Sequence, residues 1–353
     1  MIFQKQHKRQ YQLHKAEYDT VLQDVMDNGL DACGKYTELC QEQMKEVTGR
    51  RHVIMTMSGT AAITAAIYAL DLFDKKVAVG SYNYVACVNQ YQAFSKPIYV
   101  DCDEDTLLDI KQIPQGCDAV NLVNYWGNVS DYDALKHEGK VITDCSQSFG
   151  AKYNGRNDGY FGDISTFSFG GQKPVGTRGF TGACATDDDH LAHKIDCAIN
   201  HGKSGEDREL PIEMLGFRGA AQELQCAILS VGMKYWKEWK QDRTDIARHV
   251  MAELSGYPLR FFKPNAKCEP SYFKLGLETD NRDHFLKAMQ RRGIDAQIGF
   301  FDNFSNMWGD GTSVPMTQRL NKTSVSLPLS PFFTKQEVST IISSVKQYFD
   351  KVD

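Results

Sequence analysis

The chain has 353 residues, 42% hydrophobic and 24% charged, with 28 Gly against 10 Pro; this is the composition of a folded globular protein and excludes a tail or a fibre. At ~100–200 residues per domain it is long enough for two cores, or for one domain with a smaller satellite. The net charge of −5, from 40 basic and 45 acidic residues, supplies no global field that would draw the chain onto nucleic acid or an anionic membrane, so an anionic ligand has to be held by local groups.

The first stretch, MIFQKQHKRQYQLHKAEY, carries cations with no apolar segment after them and is not expected to be a secretory signal. No window approaches the ~18 uninterrupted apolar residues of a membrane span. Ten cysteines are scattered without a C-x-x-C or a Cys/His cluster at metal spacing; they are expected to be free thiols in a reducing cytoplasm, with no metal site. Helical spacing recurs in Tyr18, Val21, Leu22, Val25 and Met26, and again in Tyr36, Leu39, Cys40 and Val47. From there to about Asp187, strand-like runs at 53–57, 76–80, 97–101, 119–123, 141–144 and 164–169 alternate with helical patterns such as 60–70 and 84–94. Runs apolar on both faces and separated by helices argue a mainly parallel sheet covered on two sides, an α/β fold.

A long helical pattern begins near Gly219 and continues through 245–254. Beyond Pro258 the character changes to strand-like 259–262 and 272–277, a helical 283–293 and a closing helix at 335–349. This grouping is compact enough for a second, α+β domain of ~100 residues. The expected division is 1–245 and 246–353. The basic patch at 5–9 and the pair Arg291–Arg292 read as solvated faces.

Three short stretches carry candidate chemistry. Ser58-Gly59-Thr60 follows a strand-like run and opens an Ala-rich helix; a helix N-terminus offers N–H groups and positive dipole, and Gly lets an anion come close, although the tripeptide alone also fits an ordinary Ser cap. Asp144 ends the run 141–144, at the strand end where open α/β sheets place ligands; turn or cap duty is the alternative. Lys173 follows another strand and two glycines. Shielded from water at the mouth of a sheet, a lysine loses its proton readily and attacks carbonyls, whereas a lone lysine is usually surface charge. The P-loop spacing of Gly171 to Gly176 is followed by Thr177-Arg178, so the phosphate lysine is missing, and no G-x-G-x-x-G after a strand and no G-x-S-x-G is present. A phosphate seat, an acid for a ring nitrogen and a lysine for an aldehyde together match the three handles of pyridoxal 5′-phosphate.

The order of MSGTAAITAAIYAL, SYNYVACVNQYQAFSKPIYVDCDEDT, ITDCSQSFGAKYNG, FGDISTFSFGGQK, LGFRGAAQELQCAI, RRGIDAQIGF and SVSLPLSPFFTKQEVSTII resembles the DegT-type sugar-nucleotide aminotransferases, a branch of the fold type I pyridoxal-phosphate enzymes. The resemblance runs from about residue 50 to the end. It implies that Lys173 is the Schiff-base lysine, that Asp144 partners the pyridine nitrogen and that Gln147 faces the ring hydroxyl. Ser58, Gly59, Thr60 and Ser168 would hold the phosphate, and Tyr84 would stack on the ring. It further implies a dimer with cofactor sites between subunits.

The chain departs from the family pattern at Phe180 and Thr181, which replace an acid and a glycine in the stretch 176–182. Arg218 stands where the family has an Asn that reaches the neighbouring subunit's cofactor phosphate, and Ala220 replaces an Arg. Ile298-Gly299-Phe300-Phe301 replaces a His-Tyr substrate loop. The activity expected is transfer of an amino group, from glutamate by family analogy, to a keto group of a nucleotide-linked sugar in amino-sugar biosynthesis. Lys173 would carry the cofactor and shuttle the proton. A sugar dehydratase of the same family, in which histidine replaces the lysine, a pyridoxal-phosphate-binding regulator without turnover, and a nucleotide-binding module with no cofactor, which would be colourless, are the alternatives.

Overall fold

The computed structural model describes residues 1–204, 211–299, 304–309 and 311–350. Helices α1 (His7–Leu13), α2 (Lys15–Asp27) and α3 (Lys35–Thr48) precede the first strand. The main sheet contains β1 (His52–Thr56), β2 (Lys76–Gly80), β3 (Lys96–Val100), β4 (Ala119–Val123) and β5 (Lys140–Asp144). Short strands β6 (Lys152–Tyr153) and β7 (Arg156–Asn157) form a separate small sheet, after which β8 (Ile164–Ser168) and β9 (Gly182–Thr186) complete the large one. Its spatial order is β1-β9-β8-β5-β4-β2-β3. All neighbours pair in parallel except at β9, which runs antiparallel to both β1 and β8.

Each of the six strand-like runs in the sequence becomes a strand of this sheet, within a residue at either end. β9 is the strand that sequence patterning misses. Gly182-Ala-Cys-Ala-Thr186 has small side chains and no β-branched run, and it is extended because it fills the slot between β1 and β8.

Side chains along the strands alternate between two layers. Val77 and Val79 of β2 and Ala119 of β4 pack into the layer that holds helices α4 (Gly59–Ala69), α5 (Val85–Phe94) and α6 (Asp189–Ile199). Ala78, Val120 and Leu122 face the other way. At the β1 end, Val53, Met55, Ala183 and Ala185 meet α3 and the start of α7 (Glu223–Glu253). The period of two splits the strands this way, and burial on both faces explains their unbroken apolar character. Helix α4 is buried along almost its whole length, touching β8, β9, α5 and α6; its alanines permit that close approach from several sides.

Two helix starts receive their caps from distant residues. α3 follows Gly34 without a local side-chain cap. The buried carboxylate of Glu223 accepts from the amides of Gly34 (2.9 Å), Tyr36 (2.8 Å) and Thr37 (2.8 Å), placing negative charge at the positive end of the helix.

The C-terminal part holds β10 (Arg260–Phe261), β11 (Cys268–Glu269), β12 (Leu275–Glu278), α8 (Arg282–Arg291), β13 (Gln297–Ile298), α9 (Phe304–Trp308), α10 (Pro315–Thr323), β14 (Ser324–Leu327) and α11 (Lys335–Asp350). Four strands make an antiparallel sheet in the order β10-β12-β14-β13, whereas β11 joins β6 and β7. Buried Asp101, beyond β3, accepts from the amides of Met316 (2.9 Å) and Thr317 (2.8 Å) and so caps α10. Strand β12 starts later than the run 272–277 suggests. Tyr272 has φ +47° and the amide of Phe273 donates to the carbonyl of Trp126 at 3.3 Å, so this segment turns toward the 126–127 loop instead of extending.

Helix α7 passes through residue 246 without a break. Ala227, Leu229 and Met233 pack on the main sheet, while Ala247 and Val250 pack in the C-terminal core with Leu275, Phe285 and Val345. One helix therefore belongs to both cores. The extreme N-terminus also lies with the C-terminal part, since Ile2 pairs with Ile294 in a parallel bridge.

Candidate active site

The reversal of β9 brings four strand ends to one edge. Gly182, its first residue, lies opposite Thr56 at the end of β1 and Ser168 at the end of β8. Asp144 ends β5, the parallel neighbour of β8. Just past β1, Ser58 adopts an extended backbone and its Oγ accepts from the amide of Ala61 at 3.0 Å, capping α4. The amides of Gly59 and Thr60, in the first turn, have no intrahelical acceptor available to them. Helix α4 is pressed onto the strand ends so tightly that a Cβ on Gly59 would lie 2.6 Å from Cβ of Ser168, and one on Gly182 would lie 2.5 Å from the carbonyl carbon of Ser58. Both glycines are required by close approach. Gly59→Ala is expected to cost about 1–3 kcal/mol of stability from overpacking, read by urea denaturation. The same displacement should weaken pyridoxal-phosphate binding about tenfold or more, equivalent to ~1.4 kcal/mol.

Lys173 sits in a closed loop after β8. Its amide donates to Gly170 O at 2.8 Å, and both the amide and the hydroxyl of Thr177 donate to Phe169 O, at 2.8 and 3.0 Å. The next residue is anchored from α7: buried Arg243 donates to Pro174 O at 3.1 Å. The Lys173 side chain is half-buried, with Nζ 5.1 Å from the centre of the Phe273 ring. Burial lowers the ammonium to about 8 from its usual 10.5; the Asp144 charge opposes that shift, and Lys274 adds to it. In turn, burial raises the Asp144 carboxyl above its ordinary value, while hydrogen bonds from Ser146, including its amide at 2.9 Å, and the charge of Lys173 pull it back. The two side chains, from different loops, thus form one electrostatic unit.

Tyr84 precedes α5 with its side chain 56% exposed, and its amide donates to Asn83 Oδ1 at 2.7 Å and to the Tyr125 hydroxyl at 3.2 Å. Gln147 is buried and its Oε1 accepts from the amide of Trp126 at 3.4 Å. The consecutive residues Tyr125 and Trp126 therefore connect the segments that carry Tyr84 and Gln147. Thr60 and Ser168 are half-buried.

Arg218 is exposed and its backbone bridges Asn200, two residues before the Thr56–Ala220 bridge. Phe180 is 75% exposed. The Ile298-Gly299 pair is at the end of β13, whereas Phe300 and Phe301 lie outside the described residues.

A cleft reaches Lys173, lined also by Gln4, Lys5, His7, Arg243 and Phe332. Neither Asp144, Ser58, Tyr84 nor Gln147 lines it. It therefore approaches the lysine without including the sheet edge. The N-terminal segment is tied there by Gln4, which donates to Phe273 O (3.1 Å) and Leu329 O (2.7 Å) and accepts from the Leu329 amide (2.6 Å). Sequence reasoning misses Gln4, Arg243, Phe273 and Lys274, because each reaches the site through contacts with no local pattern. The fold also gathers His193, Cys197 and Glu213, a grouping that chain order does not show.

The residues at the sheet edge fit the three handles of pyridoxal phosphate: a glycine-lined helix start for the phosphate, a buried acid for the ring nitrogen, and a lysine of lowered pKa for the aldehyde. The chain is 25% identical over 367 aligned positions to dTDP-3-amino-3,4,6-trideoxy-alpha-D-glucose transaminase of Streptomyces venezuelae, covering 98% of this chain and 96% of that protein. It is also 25% identical over 352 positions to dTDP-3-amino-3,6-dideoxy-alpha-D-galactopyranose transaminase of Aneurinibacillus thermoaerophilus, covering 95% and 96%. Its fold matches the crystal structure of S. venezuelae DesV with a TM-score of 0.92 over 98% of each chain, at 24% identity. A profile of the DegT/DnrJ/EryC1/StrS aminotransferase family spans residues 12–346, and the chain belongs to that family.

Proposed function

We propose that the protein is a pyridoxal-phosphate-dependent aminotransferase that moves an amino group from an amino acid, glutamate in this reading, to a keto group of a nucleotide-linked sugar. The observation that carries the proposal is the coupling of Lys173 to buried Asp144 beside the Ser58-Gly59 helix start. Similarity to two sugar transaminases over almost the whole chain supports the substrate class.

When bound, pyridoxal phosphate supplies an aldehyde for amines and an electron sink for the carbon next to nitrogen. Ser58, Gly59, Thr60 and Ser168 would hold its phosphate, and Tyr84 would support the ring face. Gln147 would meet the ring hydroxyl, and Asp144 would pair with the ring nitrogen and keep it protonated. Lys173 would hold the cofactor through its aldehyde and, as an amine of lowered pKa, would accept and return the proton of the donor's α-carbon. Lowering the lysine from 10.5 to about 8 raises its neutral fraction at pH 7 roughly 300-fold, to roughly a tenth. An amine so poised favours turnover over a purely regulatory role, and lysine in place of histidine favours transfer over dehydration.

The proposal includes a cytoplasmic homodimer with the cofactor between subunits, and a functional division at 1–245 and 246–353 whose junction lies within α7. No described helix is long and apolar enough to cross a membrane. Exposed Arg218 would reach the partner subunit's cofactor phosphate. Losing a charge-assisted bond of about 1.5–3 kcal/mol, Arg218→Ala should bind pyridoxal phosphate about 10–100-fold more weakly in an equilibrium titration; unchanged affinity would remove that contact. The function itself is tested by incubating the yellow holoenzyme with glutamate and a panel of keto-sugar nucleotides. Loss of the yellow colour and a mass change from keto to amino sugar are expected. Colour that persists with every common amino donor would end the aminotransferase reading.

A further inference from the structure

We propose that His193, Cys197 and Glu213 form a binding site for a divalent transition-metal ion, zinc by its donor chemistry, separate from the Lys173 cleft. Helix α6 sets His193 and Cys197 one turn apart on the same face, and Glu213 arrives from the segment that follows the helix. Nε2 of His193 lies 2.7 Å from Glu213 Oε2 and 3.5 Å from Cys197 Sγ, and the sulfur lies 3.9 Å from Glu213 Oε1. A tetrahedral zinc ion with bonds of about 2.0–2.3 Å separates its ligands by about 3.3–3.7 Å. The nitrogen–sulfur separation lies within that range and the sulfur–oxygen one just beyond it, while the nitrogen–oxygen distance is that of a hydrogen bond, which the ion would replace.

The backbone is already arranged for this. Gly202 N donates to Cys197 O, and Gly202 O accepts from Glu213 N, both at 2.8 Å. Gly202 has φ +85°, and a Cβ there would collide with the carbonyl of Met214. One glycine therefore locks the chain carrying the thiol to the chain carrying the carboxylate.

An exposed imidazole–carboxylate pair by itself contributes little, and here both partners are more than 40% exposed. The buried sulfur beneath them is what changes the chemistry. Sulfur, nitrogen and oxygen together select zinc or cobalt over magnesium or calcium. Thiolate and carboxylate neutralise the dication, the thiol's proton passes to solvent, and water takes the fourth position. None of the three residues lines the Lys173 cleft or stands among the residues proposed for aminotransfer.

Cobalt(II) titration of the purified holoenzyme tests the proposal, with spectra taken as differences from the metal-free protein. One equivalent should bind, giving a thiolate-to-cobalt charge-transfer band and the visible absorption of tetrahedral cobalt, both erased by added zinc. Cys197→Ser should abolish the charge-transfer band. Glu213→Gln and His193→Gln, which change exposed side chains and leave the fold intact, should each weaken cobalt binding at least about tenfold, while Glu213→Gln retains aminotransferase activity. Absence of the thiolate band in the parent protein, or equal cobalt affinity in Glu213→Gln, His193→Gln and the parent, overturns the site.

Discussion

Lys173→Ala is expected to leave a folded chain whose turnover is lower by about 10⁴-fold or more, measured as amino-sugar formation under saturating cofactor. The variant loses both the amine that would hold the cofactor and the base that would move the proton. Lys173→Arg should be nearly as inactive, since a guanidinium stays charged at any working pH and cannot accept the proton. Its lowered value of about 8 also predicts a pH signature. Capture of pyridoxal phosphate by the cofactor-free chain should accelerate about tenfold per pH unit and level off near pH 8, as the neutral amine becomes dominant. The effect on stability has the opposite cost. Because the folded value lies below the unfolded one, burying the ammonium destabilises the fold at neutral pH, and that penalty fades as pH rises from about 8 to 10.5. Lys173→Met should therefore unfold at higher urea than the parent at pH 7, by about 1–3 kcal/mol after allowing for partial exposure. Its advantage should vanish above pH 10.5.

Asp144→Asn is the second large effect, a loss of about 10²–10³-fold in kcat from removing one preorganised charge at the reacting group. The substitution preserves shape, and the Ser146 amide keeps an oxygen to donate to, so the fold should survive. Loss of the negative charge acts twice. It leaves the ring nitrogen without the partner that keeps it protonated, and it removes the interaction that raises Lys173. The pH midpoint for cofactor capture should consequently fall below about 8. A variant with depressed kcat but an unmoved midpoint would mean that the two side chains do not share one cavity.

The site was legible where chemistry follows immediately from chain order. Ser58 and Lys173 follow a run that reads as a strand and Asp144 ends one, so their placement at strand ends needed only local patterning. The closeness of Gly59 to Ser168 was not legible, because it depends on β9 entering antiparallel between β1 and β8. Gly182-Ala-Cys-Ala-Thr186 offers too little side chain to announce a strand. Its extended form comes from the hydrogen bonds of two neighbours. The late start of β12 is similar, since the positive φ at Tyr272 answers the 126–127 loop, which lies far away in the chain.

By itself the sequence determined the class of fold, six strands of the main sheet, the alternation of helices with strands, and the order of the residues proposed for the cofactor. These depend on hydrophobic periodicity and on the glycine, serine and lysine at strand ends, properties that act over a few residues. Only the tertiary structure decided that Asp144 and Lys173 feel each other's charge, that Arg243 and Phe273 flank the lysine loop, and that Glu213 meets His193 and Cys197. Burial and electrostatics depend on which distant segments become neighbours, and no local propensity encodes that.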